Sequence, residues 1–141
     1  MTRRALLRML DANANRALEG LRVCEDVARF HLGTPRVFRQ IRALRHGVAA
    51  AIARLPARPA ELVRARNSRR DPGRAAPSSS VPSLERLLLI NFQRAKEALR
   101  VLEETARLLA PRQTAAFQRL RFRTYEAERE ALLRVDTLRH R

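Results

Sequence analysis

Two stretches of the chain carry the residue types best suited to chemistry. NRALEGLRVCED at 15–26 sets Asn15, Glu19, Arg22 and Asp26 at i, i+4, i+7 and i+11, and QRAKEALRVLEE at 93–104 repeats the spacing with Gln93, Glu97, Arg100 and Glu104. At about 100° per residue each set forms one stripe along a helix. Arg16 and Asn13, with Arg94 and Asn91, lie at the stripe's margin or near the helix start. Guanidinium forks grip phosphates, and carboxylates or amides meet amines, metals and heterocycle edges. The same residues can also do nothing more than pair with one another. Glu19 with Arg22 and Arg22 with Asp26 are helical ion pairs worth about 0.2–0.5 kcal/mol each on an exposed face. Such pairs tolerate many arrangements, whereas here Asn, Arg, Glu, Arg and an acid recur in one order. Stripes facing each other across a pseudo-two-fold would line a polar cleft.

The elements that must hold the stripes are helices. Leu21, Cys24, Ala17, Ala28, Gly20, Val27 and Val23 share one broad face, and Leu99, Leu102, Ala95, Ala106, Ala98, Thr105 and Val101 occupy the same places in the second copy. That face is the expected core. Gly20 and Ala98 mark where a partner helix can approach closely. A first helix from about Arg3 to His31 ends at Gly33, with Thr34 as N-cap and Pro35 at the first position of the next helix. The second helix runs to about Arg54, where LPARPA stops it, because Pro56 and Pro59 cannot lie inside a helix. Residues 64–82, rich in Arg, Pro and Ser without apolar period, read as a long loop. A third helix spans about Ser83 to Leu109, and a fourth starts at Pro111. Two hairpins follow, at about 3–54 and about 83–139.

Aligning 13–30 with 91–108 gives ten identities: Asn, Arg, Ala, Glu, Leu, Arg, Val, Glu, Ala and Arg. In the second helices LRH at 44–46 answers LRF at 120–122 after a small shift. The expected fold is therefore all-α, a single domain in which two duplicated helical hairpins form a four-helix bundle-like body with a long central loop.

Composition bounds the function further. The chain has 141 residues, enough for one domain with its own core. Cys24 is the single cysteine, so no internal disulfide can form; without an apolar leader-like segment the cytoplasm is the default compartment. No apolar run reaches a bilayer span. The net charge of +16 is almost wholly arginine, since Lys96 is the sole lysine. Such a bias can arise from codon usage on an inert surface, yet the field still favours anionic partners. There is no phosphate-cradling GxxxxGK[ST] and no Gly-rich dinucleotide turn. One Cys with His31, His46 and His140 lacks the ligand spacing of a structural zinc site. A nucleic-acid-binding module would use the same arginines, but Tyr125 and scattered Phe make no stacking platform, and nucleic acid is not expected as a partner. The other non-enzymatic alternative is a non-catalytic ligand-sensing or docking module. His46, inside RALRHG, reads as a polar helix-flank residue or a catalytic one, and Arg66, Asn67, Asp71 and Gly73 stand out in the long loop.

Five segments in order, LDANANRALEGLRVCEDVARF, LRH, ARNSRRDPG, INFQRAKEALRVLEETARLL and LRFRTYEAE, resemble the small helical hydroxymethylpyrimidine phosphate kinase family. The family also occurs as an N-terminal domain fused to thiamine-phosphate synthase. The resemblance runs from about Leu10 to Glu128. The family commonly has Arg-Asp where this chain has Arg66 and Asn67, and Arg-Tyr where it has Arg121 and Phe122. The barrel of the synthase is not matched in this sequence, so the resemblance implies a stand-alone kinase. It implies ATP-dependent phosphorylation of hydroxymethylpyrimidine phosphate to the diphosphate in thiamine biosynthesis, with Mg²⁺. On that basis Arg16, Arg22, Arg94 and Arg100, with Arg45, Arg66 and Arg121, are expected to bind phosphates. Arg22 and Arg100, with Asp26 and Glu104, form the expected catalytic set. Asn13, Asn91, Glu19 and Glu97 are expected at the aminopyrimidine, His46 among the substrate contacts, and Asp26, Glu104 and Asp71 as Mg²⁺ ligands or arginine-orienting groups. Small phosphorylated molecules are the expected partners, and assembly into a homo-oligomer is compatible with the sequence.

Overall fold

The computed structural model describes residues 2–140. Its elements are helices: α1 (Arg3–Val27), α2 (Pro35–Ala53), α3 (Pro59–Ala65), α4 (Leu84–Leu109) and α5 (Thr114–Arg139), with no strand among the described residues. The all-α expectation holds. Four of the helices are the long ones read from the sequence; α3 is an addition. Pro59 sits at its first helical position, where a missing N–H costs nothing, and Glu61 accepts a hydrogen bond from the Arg58 backbone N–H at 3.2 Å. The long loop accordingly begins at Arg66, two residues later than expected, and contains a single 3₁₀ turn at Ser68–Arg70.

Local chemistry sets the other ends. Thr2 caps α1 by accepting from Ala5 N–H, and Ser83 caps α4 by accepting from Arg86 N–H, each at 3.1 Å. The tail of the first helix is wider than an α-helix: Ala28–Leu32 form a π turn that closes at Gly33, whose φ of 60° is the left-handed conformation open to glycine. Leu32 turns into the core there, and its carbonyl accepts from Arg134 Nε of α5 at 3.1 Å. Thr34 occupies the N-cap position of α2 as expected, and its hydroxyl donates back to the Leu32 carbonyl and makes no cap bond. Pro111 starts a 3₁₀ turn, Pro111–Gln113, before α5.

α1 and α4 form the centre. Gly20 lies against Asn91 and Ala95, and Cys24 against the Leu88 carbonyl, so the two helices run antiparallel. A methyl group on Gly20 would stand 2.8 Å from the Asn91 carbonyl oxygen, which is why this crossing needs glycine. α2 packs on α1, α5 on α4, and α2 and α5 meet each other. Leu10, Leu21, Ile41, Leu44, Leu88, Phe92, Leu99, Leu102 and Phe117 fill the space between and are sealed from solvent. Each such side chain contributes about 1.5–3 kcal/mol of burial free energy. Among the described residues no helix is long and apolar enough to cross a membrane.

Candidate functional site

The apolar face of α1 and α4 is not buried to its edge. Val23 and Val101, expected in the core, are half-buried and form part of the floor of an open cleft between the two helices. The cleft holds about 600 Å³ and is lined by five matched pairs: Asn13 and Asn91, Arg16 and Arg94, Glu19 and Glu97, Gly20 and Ala98, Val23 and Val101. Because α1 and α4 run antiparallel, the two members of a pair lie toward opposite ends of the cleft: Gly20 lies against Asn91 and Ala95, and not against its equivalent Ala98. Asn13, Arg16, Asn91 and Arg94, at the margin of the stripe, are thus among the residues that line the cleft.

Asn13 and Asn91 are buried and held alike. Each Nδ2 donates to the carbonyl four residues earlier, Met9 at 2.8 Å and Leu87 at 2.9 Å, leaving each amide with a fixed orientation. Arg16 reaches Asn13 Oδ1 at 3.5 Å, while Arg94 has no ion-pair partner among the described residues. Glu97 accepts from Gln93 Nε2 at 3.0 Å; Glu19 is likewise without a partner among those residues, because Asn15 turns to the Asp11 carbonyl. The cleft therefore presents two unneutralised guanidiniums, two carboxylates and two locked amides. That set can hold a phosphate together with a hydrogen-bonding ring.

Arg22, Asp26, Arg100 and Glu104 stand on the outer flanks, outside the lining of that cleft. Arg22 pairs with Asp26 at 3.5 Å and with Glu25 at 3.8 Å; Arg100 pairs with Glu104 at 3.2 Å and Glu103 at 3.5 Å. Behind them, Arg45 of α2 clamps Glu25 through Nε at 2.6 Å and Nη2 at 3.3 Å, and Arg121 of α5 holds Glu103 through Nε at 3.0 Å. Both guanidiniums are held further toward the charged form by the hydrogen bond to their buried carboxylate. Glu25 and Glu103 were not singled out from the sequence as site residues. The signal was present, since they are the second glutamate repeated in both copies. His46 lies exposed on α2 and lines no cavity of the cleft, and Phe122 is exposed beside Tyr125 with ring centroids 6.0 Å apart.

At the Asn13 end the cleft continues under the loop. Arg66 locks onto the buried Asp11 through two bonds of 2.7 Å, Nε to Oδ2 and Nη2 to Oδ1, which fixes the start of the loop against α1. The bond to Asp11 raises the pKa of Arg66 further. A cavity of about 500 Å³ results, with Ala5, Met9 and Ala12 as an apolar floor and Asn13, Arg16, Arg66, Asn67 and Asp71 around it. A further pocket of about 460 Å³ beside it gathers Arg16, Arg69, Arg74 and Asp71, the last accepting from Gly73 N–H at 2.7 Å. Arg16 is common to all three spaces. Asp11 has no counterpart in the second copy, where Leu89 stands at the equivalent position, so only one end of the cleft has this annex. Asp11 carries no repeat signal in the sequence, being a lone acid inside an asparagine-rich turn of α1.

For a divalent cation the fit is poor on the protein side. Asp26 is paired with Arg22, Glu104 with Arg100 and Arg107, and Asp71 with its own loop, and among the described residues no three Asp, Glu, His or Cys side chains converge as a metal cage.

Comparison with known proteins gives the geometry a context. Residues 8–130 match the ThiD2 family. The chain is 39% identical over 124 residues to a thiamine-phosphate synthase of Nostoc sp., covering 86% of this chain and 34% of that protein. It is 38% identical over 129 residues to the thiamine-phosphate synthase of Gloeobacter violaceus, covering 89% and 36%, and 33% identical over 141 residues to that of Rhodopirellula baltica, covering 98% and 37%. The chain thus spans about a third of the length of these relatives. No solved structure matches it. The matched span takes in most of both long hairpins, the cleft between α1 and α4 and most of the loop annex, and on that evidence the chain belongs to the ThiD2 family.

Proposed function

We propose that the protein acts in thiamine biosynthesis as a kinase, transferring the γ-phosphoryl group of ATP to hydroxymethylpyrimidine phosphate. The observation that carries the reading is the pair of unneutralised guanidiniums, Arg16 and Arg94, on opposite sides of a cleft that also offers two locked asparagines and two carboxylates. A phosphate oxygen of the acceptor attacks the γ-phosphorus, a new P–O bond forms, the bond to the β-phosphate oxygen breaks, and ADP leaves with that electron pair. The attacking oxygen is already anionic, so no strong general base is needed, and the protein's work is positioning and charge neutralisation. Arg16 and Arg94 hold the phosphates. Asn13, Asn91, Glu19 and Glu97 match the donor and acceptor edge of the aminopyrimidine. Arg22 and Arg100 act by pairing with Glu25 and Glu103, which keeps the helix flanks in place. A Mg²⁺ ion bound to the phosphates of ATP would neutralise charge on them; among the described residues no carboxylates gather as a cage for it.

The test is direct. The purified protein is incubated with ATP, Mg²⁺ and hydroxymethylpyrimidine phosphate, and the diphosphate is sought by chromatography. No product from folded protein, beside an active control kinase, ends the proposal; binding of the pyrimidine phosphate without product would instead support a non-catalytic module.

A further inference from the structure

The two ends of the cleft differ in charge and in shape, and that difference assigns the two substrates. Resting on the kinase reading above, we infer that the annex under the loop is the nucleotide subsite: the triphosphate lies over Arg16, Arg69 and Arg74, and the purine base lies on Met9 and Ala12. The pyrimidine phosphate then occupies the cleft between α1 and α4, toward Arg94.

Charge decides the first half. The loop pocket sets three arginines against the single carboxylate of Asp71, whereas the cleft sets two arginines against Glu19 and Glu97. A triphosphate carries several negative charges and is favoured where arginines are in excess; a monophosphate with an amino-substituted ring suits the balanced cleft. Shape decides the second half. The cavity adjoining the loop pocket is lined by the apolar Ala5, Met9 and Ala12 together with the polar Asn67, space for a flat ring with hydrogen-bonding edges. Asp11 and Arg66 fix the loop that closes it. Arg16 joins both compartments, so a γ-phosphate held there meets an acceptor in the cleft. At the opposite end, Leu89 in place of an acid leaves nothing to hold such a loop. One nucleotide per chain follows.

The experiment is calorimetric titration of the whole protein with ATP and Mg²⁺, with tripolyphosphate and with hydroxymethylpyrimidine phosphate, for the wild type, Ala12→Leu and Asn67→Ala. Ala12→Leu fills the base cavity, and Asn67→Ala, in the loop, removes a polar edge without touching the core. Ala12→Leu should weaken ATP about tenfold, and leave tripolyphosphate and the pyrimidine phosphate within about twofold; Asn67→Ala should weaken ATP about threefold. ATP stoichiometry should be one. Weakening of the pyrimidine phosphate with ATP unchanged would reverse the assignment, and no change with either ligand would remove the subsite. A wild-type protein that binds neither substrate sinks the kinase reading and this assignment with it, whereas wild-type turnover with ATP insensitive to both variants sinks the assignment alone.

Discussion

Removing the Glu103 carboxylate should destabilise the protein far more than removing the arginine exposed in front of it. The Glu103 side chain is 8% exposed and that of Arg121, which donates to it at 3.0 Å, is 12% exposed. Arg100, 3.5 Å away on the other oxygen, is 55% exposed. Glu103→Ala leaves the Arg121 guanidinium enclosed, unpaired and beside a second arginine, a class of change that costs about 3 kcal/mol or somewhat more. Arg100→Ala removes pairs that water and salt already screen, worth about 0.2–1 kcal/mol. At about 3–4 °C per kcal/mol for a chain of this size, the first variant should lose about 10 °C in Tm and the second about 3 °C or less. Circular-dichroism melts and urea titrations read both. The double variant Glu103→Ala, Arg121→Met should recover much of the loss, because no buried charge is then left without a partner. Equal losses for Glu103→Ala and Arg100→Ala would refute the clamp, as would a double variant no better than Glu103→Ala alone. Glu25→Ala should behave similarly but more mildly, since its partner Arg45 is 21% exposed and can turn toward water.

Three other perturbations test different parts of the molecule. Arg16→Ala and Arg94→Ala should each lower turnover by about a hundredfold or more with Tm nearly unchanged, while Arg22→Ala should keep turnover within about threefold; a Tm collapse in the first two would move those arginines from site to scaffold. Gly20→Ala should cost about 1–3 kcal/mol in urea unfolding despite alanine's better helix propensity, because its methyl group meets the Asn91 carbonyl backbone; a stabilised variant would contradict the close crossing. Burial, and next the charge of Glu128, push the Cys24 thiol well above its ordinary value of 9.0. A thiol reagent should therefore leave the native protein unmodified and label it in urea, and because the native state keeps a proton that the unfolded chain releases, stability should fall as pH rises past about 9.

Periodicity, with the Gly and Pro punctuation at its ends, carried the four long helices, most of their core faces and the close approach at Gly20. It missed α3, since seven residues between two prolines hold too little pattern to oppose the reading of LPARPA as a stop. For the site, the wheel placed the Glu, Arg and acid stripe opposite the core and so on the outside, where Arg22 and Asp26 do lie. What a wheel cannot express is that two helices packed closely at Gly20 and Ala95 leave a cleft along the seam between core and surface. The residues of that seam, Asn13, Arg16, Gly20 and Val23, are a mixture of polar and apolar types, and only the repeat singles them out. The loop annex depends on Asp11 meeting Arg66, two residues far apart in sequence with no shared pattern.

Two equal halves would build two equal sites, and this chain departs from equality at one kind of position. Both ends of the cleft have the asparagine, the arginine and the glutamate; only one end has the acid that receives Arg66. A symmetric cleft can bind two copies of one ligand, but phosphoryl transfer needs two unlike molecules in contact, a donor with its chain of phosphates and an acceptor with one. Adding a loop to one end supplies that inequality while leaving the central arginines in register. On this argument Asp11, which lines the annex, matters to the reaction through the loop that it holds. Asp11→Asn, which keeps the shape and loses the charge pair, should then loosen the loop and raise the KM for ATP about tenfold while changing the KM for the pyrimidine phosphate little. An equal rise in both constants would mean that the pair supports the helix and not the difference between the ends.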